Sequence, residues 1–167
     1  MIKLKYPQMK SKAVFLDRDG VINRKPSEHR YVTHVSELVI LPHVNKFLSR
    51  VKKSGYLVIV VTNQRGISLG HLNHDTLADI HKCINNKLNN YIDAFYYCHH
   101  DHHHQCACRK PKPGLILQAV KDFNIDLHKS HLIGDSQTDI QAAHAAGIKN
   151  AHLIPSNSSL LKILDNT

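Results

Sequence analysis

Ala13-Val14-Phe15-Leu16-Asp17-Arg18-Asp19-Gly20-Val21-Ile22-Asn23 decides the fold. A four-residue apolar run ends abruptly at two acids and a glycine, as a buried strand does when it reaches a sheet edge. Outward from it, short apolar runs alternate with amphipathic stretches. Residues 43–54 carry Val44, Phe47, Leu48 and Val51 on one helical face, and Gly55 stops that helix before a second strand, Tyr56 to Val61. Leu77, Ile80, Ile84 and Leu88 mark another helix, Ala94 to Tyr97 a third strand, and Ile116, Ala119, Val120 and Phe123 a helix after Pro113-Gly114. His131-Leu132-Ile133 reads as a fourth strand, residues 138–146 as a helix closed by Gly147, and Ala151 to Ile154 as a last strand. This order predicts an α/β fold: a Rossmann-like three-layer sandwich around a central parallel sheet. Residues 20–41 have no clean period, and a long insertion after the first strand predicts a lid over the cleft.

The chain has 167 residues, 42% of them hydrophobic and 21% charged, which fits one domain, residues 1–167. The longest apolar stretch is too short to span a bilayer, and Met1 to Pro7 lacks the apolar core of a secretory leader. A cytoplasmic monomer with no membrane partner is the expectation. A formal charge of +9 favours an anionic partner without choosing between nucleic acid and a small phosphorylated metabolite. Aromatic residues are 6% and tryptophan is absent, so the stacking platform of single-strand binders is missing.

In open parallel sheets ligands bind beyond the carboxyl ends of the strands. Asp17 and Asp19 follow the first strand, Thr62 and Asn63 the second, and Asp135 and Asp139 the fourth. Any one of these alone is an ordinary cap or turn residue. Together they offer few, hard oxygen ligands with room for water and phosphate, a set suited to Mg2+. A second cluster, Cys98, His100, Cys106 and Cys108, has the spacing C-x-H-x5-C-x-C. Three thiolates and an imidazole complete a closed tetrahedral zinc site, whose task is to fix a loop. His99, His102, His103 and His104 exceed what four ligands need, and read as solvated loop residues. Cys83, spaced with Ile80 and Ile84, reads as a buried inert thiol.

Asp17-Arg18-Asp19-Gly20-Val21, Thr62-Asn63-Gln64, Arg109-Lys110-Pro111-Lys112-Pro113-Gly114 and Gly134-Asp135-Ser136-Gln137-Thr138-Asp139 resemble, in order, the four motifs of the haloacid dehalogenase superfamily. The resemblance implies a phosphatase in which Asp17 attacks phosphorus and Asp19 moves the leaving group's proton. Asp17, the Asp19 carbonyl and Asp135 would hold Mg2+, with Asp139 behind them, while Thr62 and Lys110 hold phosphoryl oxygens. Lys110 is preferred to Lys112 because it adjoins Arg109 in the string that follows the zinc loop. The zinc loop, CRKPKPG and TNQ-x-GI are similar to the subgroup of heptose bisphosphate and histidinol-phosphate phosphatases. Such a resemblance implies a small phosphorylated sugar as substrate, on the route to nucleotide-activated heptose, bound by Asn23, Arg30, Tyr31, Asn63 and Arg109. Lys25 and Arg24 add basic character to the lid. Histidinol phosphate, a polynucleotide 3′-phosphate and a non-catalytic zinc-stabilised nucleic-acid module are the alternatives. The short interval from His100 to Cys106, His99 in place of a proline, and Ser136 in place of a lysine depart from many heptose enzymes.

Overall fold

A computed structural model describes residues 9–27 and 30–164, without the side chains of Lys162 and Leu164. The Met1 to Pro7 stretch and two residues of the expected lid, Glu28 and His29, lie outside the described residues. Five strands, β1 (Lys12–Leu16), β2 (Tyr56–Asn63), β3 (Ala94–Cys98), β4 (His131–Gly134) and β5 (Asn150–Leu153), form one parallel sheet in the order β3-β2-β1-β4-β5. β1 is central and buried on both faces, which explains its unbroken apolar run.

The pleat divides that run between two cores. Val14 and Leu16 join Val58, Val60 and Ile133 under α1 (Val44–Lys53) and α2 (His74–Lys87). Ala13 and Phe15 join Ile59, Val61 and Leu132 under α3 (Gly114–Phe123) and α4 (Gln137–Ala146). Helices therefore cover both faces, giving the three layers expected from the alternating pattern. Each fully buried Leu or Ile stabilises this arrangement by about 1.5–3 kcal/mol. A short carboxy-terminal helix, α5 (Leu161–Leu164), was not legible as a periodic stretch.

Local chemistry sets the helix ends. Gly55 adopts a left-handed φ of 76° just beyond α1, and Gly147 one of 102° at the end of α4. Asn73 accepts from the Thr76 amide to start α2, and Ser136 with Asp139 forms a capping box at α4.

Several element ends lie a residue or two from expectation, among them β5, which is Asn150–Leu153 instead of Ala151 to Ile154, and two of the shifts bear on the site. β2 runs on through Thr62 and Asn63, and β3 through Cys98, because their ladder continues to the pair Asn63 and Cys98. Thr62 and Asn63 are therefore held by sheet geometry, not by a loop. Residues 20–41 are less free than a flap: Val21, Ile22, Val32, Leu38 and Leu41 are buried in the α1/α2 core. Among the described residues of the segment, Lys25, Pro26, Ser27, Arg30 and Tyr31 stand at the cleft rim. Cys83 is half-buried against the same core.

Candidate active site

The carboxyl ends of β1, β2 and β4 enclose a cleft of about 340 Å³. Asp17, Asp19, Thr62, Asn63, Lys110, Asp135 and Asp139 line its floor, and Lys25, Arg30 and Tyr31 line its rim. Gly20 permits the tight turn below Asp19. Its φ is 94°, and a Cβ there would collide with the Asp135 carboxylate.

Lys110 crosses from the loop after β3 and is buried. Its Nζ lies 2.8 Å from Asp17 Oδ1, 2.6 Å from Asp139 Oδ1 and 2.8 Å from the Val61 carbonyl. The Lys110 backbone is fixed by Asn63, which accepts from its amide and donates to its carbonyl, both at 3.1 Å. Lys112, by contrast, is exposed and donates to the Cys106 carbonyl at 2.6 Å.

Burial pushes the Asp17 carboxyl up to about 6, with Lys110 opposing and Asp139 and Asp19 adding to the rise. Burial also disfavours the charged form of Lys110, but Asp17 and Asp139 outweigh it and hold the ammonium above its usual range. Asp19 behaves oppositely to Asp17. Burial works against its ionisation, yet the Arg18 guanidinium and hydrogen bonds from Arg18, Asn23 and Gln64 hold it below the usual carboxylate range. Arg18 donates to both Asp19 oxygens at 2.8 Å, Asn23 Nδ2 to Oδ1 at 2.9 Å and Gln64 Nε2 to Oδ2 at 3.0 Å.

Ligand atoms of Asp17, Asp135 and Asp139 lie within 4.8 Å of one another. Asp135 Oδ1 is buried without a partner, a hard donor left for a cation. The residues fit a Mg2+ ion. Asp139 is already committed, its Oδ1 to Lys110 and its Oδ2 to the Ser136 amide at 3.1 Å.

Cys98 Sγ is 3.7 Å from Cys106 Sγ and 3.1 Å from Cys108 Sγ, while His100 Nδ1 is 3.5 Å from Cys98 and 3.3 Å from Cys108. A tetrahedral zinc with Zn–S of about 2.3 Å and Zn–N of about 2.0 Å sets ligand separations of about 3.5–3.8 Å; two of the four distances match and two are a few tenths of an ångström shorter, and with three thiols and an imidazole as donors the cluster fits zinc. Burial and the Cys108 thiol push Cys98 up to about 12, electrostatics that a dication reverses. Asp101 ties this loop to the turn after β2 through an ion pair with Arg65.

Not every residue read from the sequence faces the cleft. Asn23 lies beneath Asp19 and is buried. Arg109 folds back onto its loop, donating to the His100 carbonyl at 3.1 Å with His102 Nε2 at 3.2 Å. Three residues were missed: Arg18 and Gln64, which clamp Asp19, and His81, whose ring stacks on Phe95 at 4.4 Å between centroids; Lys25 was read only as a basic lid residue, and its direct contact with Asp135, Nζ to Oδ2 at 2.8 Å, was not foreseen. Burial tends to lower Lys25, but Asp135 raises it.

The model of the haloacid dehalogenase-like hydrolases matches residues 5–153. The D-glycero-β-D-manno-heptose-1,7-bisphosphate 7-phosphatase of Haemophilus ducreyi is 35% identical over 162 residues, 91% of this chain and 87% of that protein. The D-glycero-α-D-manno-heptose-1,7-bisphosphate 7-phosphatase of Burkholderia mallei is 40% identical over 156 residues, 87% of this chain and 81% of that protein. A crystal structure of D,D-heptose 1,7-bisphosphate phosphatase from B. bronchiseptica, complexed with magnesium and phosphate, superposes with a TM-score of 0.80 at 27% identity, covering 93% of this chain and 99% of that one.

Proposed function

Because the chain belongs to the haloacid dehalogenase-like hydrolases, we propose that it removes the 7-phosphate of D-glycero-D-manno-heptose 1,7-bisphosphate through an aspartyl-phosphate on Asp17. The observation that carries the reading is the pairing of Asp17 with the buried Lys110 at the floor of an open cleft, 2.8 Å apart and beside the unpartnered oxygen of Asp135. A structural ion pair would gain nothing from that opening.

Asp17 attacks phosphorus, and the bond from phosphorus to the sugar oxygen breaks. The leaving alkoxide takes a proton from Asp19. Water then attacks the phosphoenzyme, Asp19 receives its proton, and inorganic phosphate leaves with Asp17 regenerated. For this Asp19 must turn from Arg18, Asn23 and Gln64 toward the cleft; loss of those three contacts returns its carboxyl toward an ordinary range, where it can carry a proton. Thr62 and Lys110 hold phosphoryl oxygens as charge develops. When bound by Asp17, Asp135 and the Asp19 carbonyl, Mg2+ supplies the charge that offsets repulsion between carboxylate and phosphate.

Zinc held by Cys98, His100, Cys106 and Cys108 keeps the following Arg109 and Lys110 in place. Arg30 and Tyr31 at the rim receive the sugar. Arg109 binds the second phosphate by exchanging its bonds to His100 and His102 for phosphate oxygens. The test is kcat/KM for heptose 1,7-bisphosphate, histidinol phosphate and a 3′-phosphorylated oligonucleotide in one buffer. The bisphosphate should be hydrolysed most efficiently. Preference for either other substrate overturns the substrate assignment, and no hydrolysis of any of them overturns the phosphatase reading.

A further inference from the structure

Lys25 stands over the acid cluster on a fixed piece of main chain. Its amide donates to Asn157 Oδ1 at 2.7 Å, and the Asn157 amide donates to the Gly20 carbonyl at 2.8 Å. One residue earlier, the Arg24 amide donates to the Val39 carbonyl at 2.8 Å. From this base the side chain reaches into the cleft and sets Nζ 2.8 Å from Asp135 Oδ2. The two partners differ in freedom: the Lys25 side chain is 46% exposed and that of Asp135 only 1%. Lys110 offsets Asp17 and Asp139, which leaves Asp135 to Lys25 among the described residues.

We infer that Lys25 is the exchangeable counter-ion of Asp135. It holds that carboxylate when no divalent ion is bound, yields it to the ion, and then binds phosphate oxygens of the substrate. The inference rests on the phosphatase reading for its last step only. A dication and an ammonium compete for the same carboxylate and repel one another there. Lys25 gives way easily, because its half-exposed ammonium is resolvated by water and its four-carbon stem is flexible. It does not go far, since its main chain stays tied to Asn157. The displaced Nζ stays in the cleft that Ser27, Arg30 and Ser136 also line, where it can meet the oxygens of an incoming phosphate. One residue therefore weakens metal binding and strengthens substrate binding.

The test uses Mn2+ as the probe, with binding followed by the electron paramagnetic resonance of free Mn2+ in zinc-replete protein without substrate. Lys25→Met should bind Mn2+ about three- to fivefold more tightly than wild type, the upper part of the range for losing a partly exposed ion pair. Lys25→Arg keeps the charge and should stay within about twofold of wild type. On heptose 1,7-bisphosphate at saturating Mg2+, Lys25→Met should raise KM about tenfold and change kcat less than about threefold. Equal or weaker Mn2+ binding by Lys25→Met overturns the counter-ion role, and an unchanged KM overturns the substrate role. Mn2+ binding is read without turnover, so a chain that responds as expected to Mn2+ yet hydrolyses no phosphomonoester overturns the phosphatase reading alone.

Discussion

Lys110→Met removes a buried ammonium while keeping an apolar stem of similar length. Its effects follow from the three contacts of Nζ: Asp17 at 2.8 Å, Asp139 at 2.6 Å and the Val61 carbonyl at 2.8 Å. Breaking a buried pair by removing one partner costs about 3–5 kcal/mol, because the other charge stays buried. At about 2–4 °C per kcal/mol for a chain of this size, Tm should fall by roughly 6–20 °C. Catalysis loses the donor that meets developing charge on the phosphoryl oxygens, a loss of about 10²–10³ in kcat. The same change raises Asp17, which is already at about 6 with Lys110 opposing the rise, so a larger share of the nucleophile is protonated near neutral pH. The acid limb of the kcat profile should therefore move to higher pH. The assay is kcat against pH from about 5.5 to 9 at saturating Mg2+, beside a thermal melt. Lys112→Met, at an exposed side chain, should leave kcat within about twofold and stability within about 0.5 kcal/mol. A Lys110→Met enzyme with more than about a tenth of wild-type kcat and an unmoved acid limb would refute the reasoning.

His81 is pushed down to about 3 by burial and by Arg18. A folded value below the ordinary 6.5 makes its contribution complete above pH 6.5 and lost as pH falls toward 3, about 1.4 kcal/mol per unit, or about 2 kcal/mol by pH 5. His81→Leu should remove that part of the drop in urea-unfolding stability between pH 7 and 5, and an unchanged drop would count against it. Cys106→Ser should lose one zinc per chain by elemental analysis, a loss on the order of 10 kcal/mol of binding that disorders the loop before the sheet unfolds; a zinc-free wild type with full activity would contradict this. Arg109→Ala should lower kcat/KM on the bisphosphate about 10- to 150-fold, with far less effect on a monophosphate analogue, and equal effects on both would remove its assignment to the second phosphate.

The sheet was legible because β1 is buried on both faces and announces itself as an apolar run ending in Asp17. Periodicity gave α1 through Val44, Phe47, Leu48 and Val51, the same residues that enter one core. Thiol and imidazole spacing located a cluster whose ligand atoms lie within 4.8 Å of one another. The segment after β1 was less legible. Its buried residues, Val21, Ile22, Val32, Leu38 and Leu41, serve tertiary contacts with no helical or strand period. Side-chain direction was not legible either. Nothing in residue order tells that Asn23 turns under Asp19 or that Arg109 turns onto His100. Lys25 and Asp135 are 110 positions apart, and Gln64 meets Asp19 across 45; only folding brings such pairs together.

The central claim is a carboxylate nucleophile at Asp17 acting on a phosphorylated heptose. The most direct test is phosphate release from heptose 1,7-bisphosphate by wild type and by Asp17→Asn at saturating Mg2+, with the product's remaining phosphate located by NMR. Wild type should release the 7-phosphate and retain the 1-phosphate. Asp17→Asn should fold, bind Mn2+ more weakly and lose turnover by about 10⁴-fold or more, since an amide is a poor nucleophile in place of the attacking carboxylate. Turnover by Asp17→Asn within about tenfold of wild type would contradict the account.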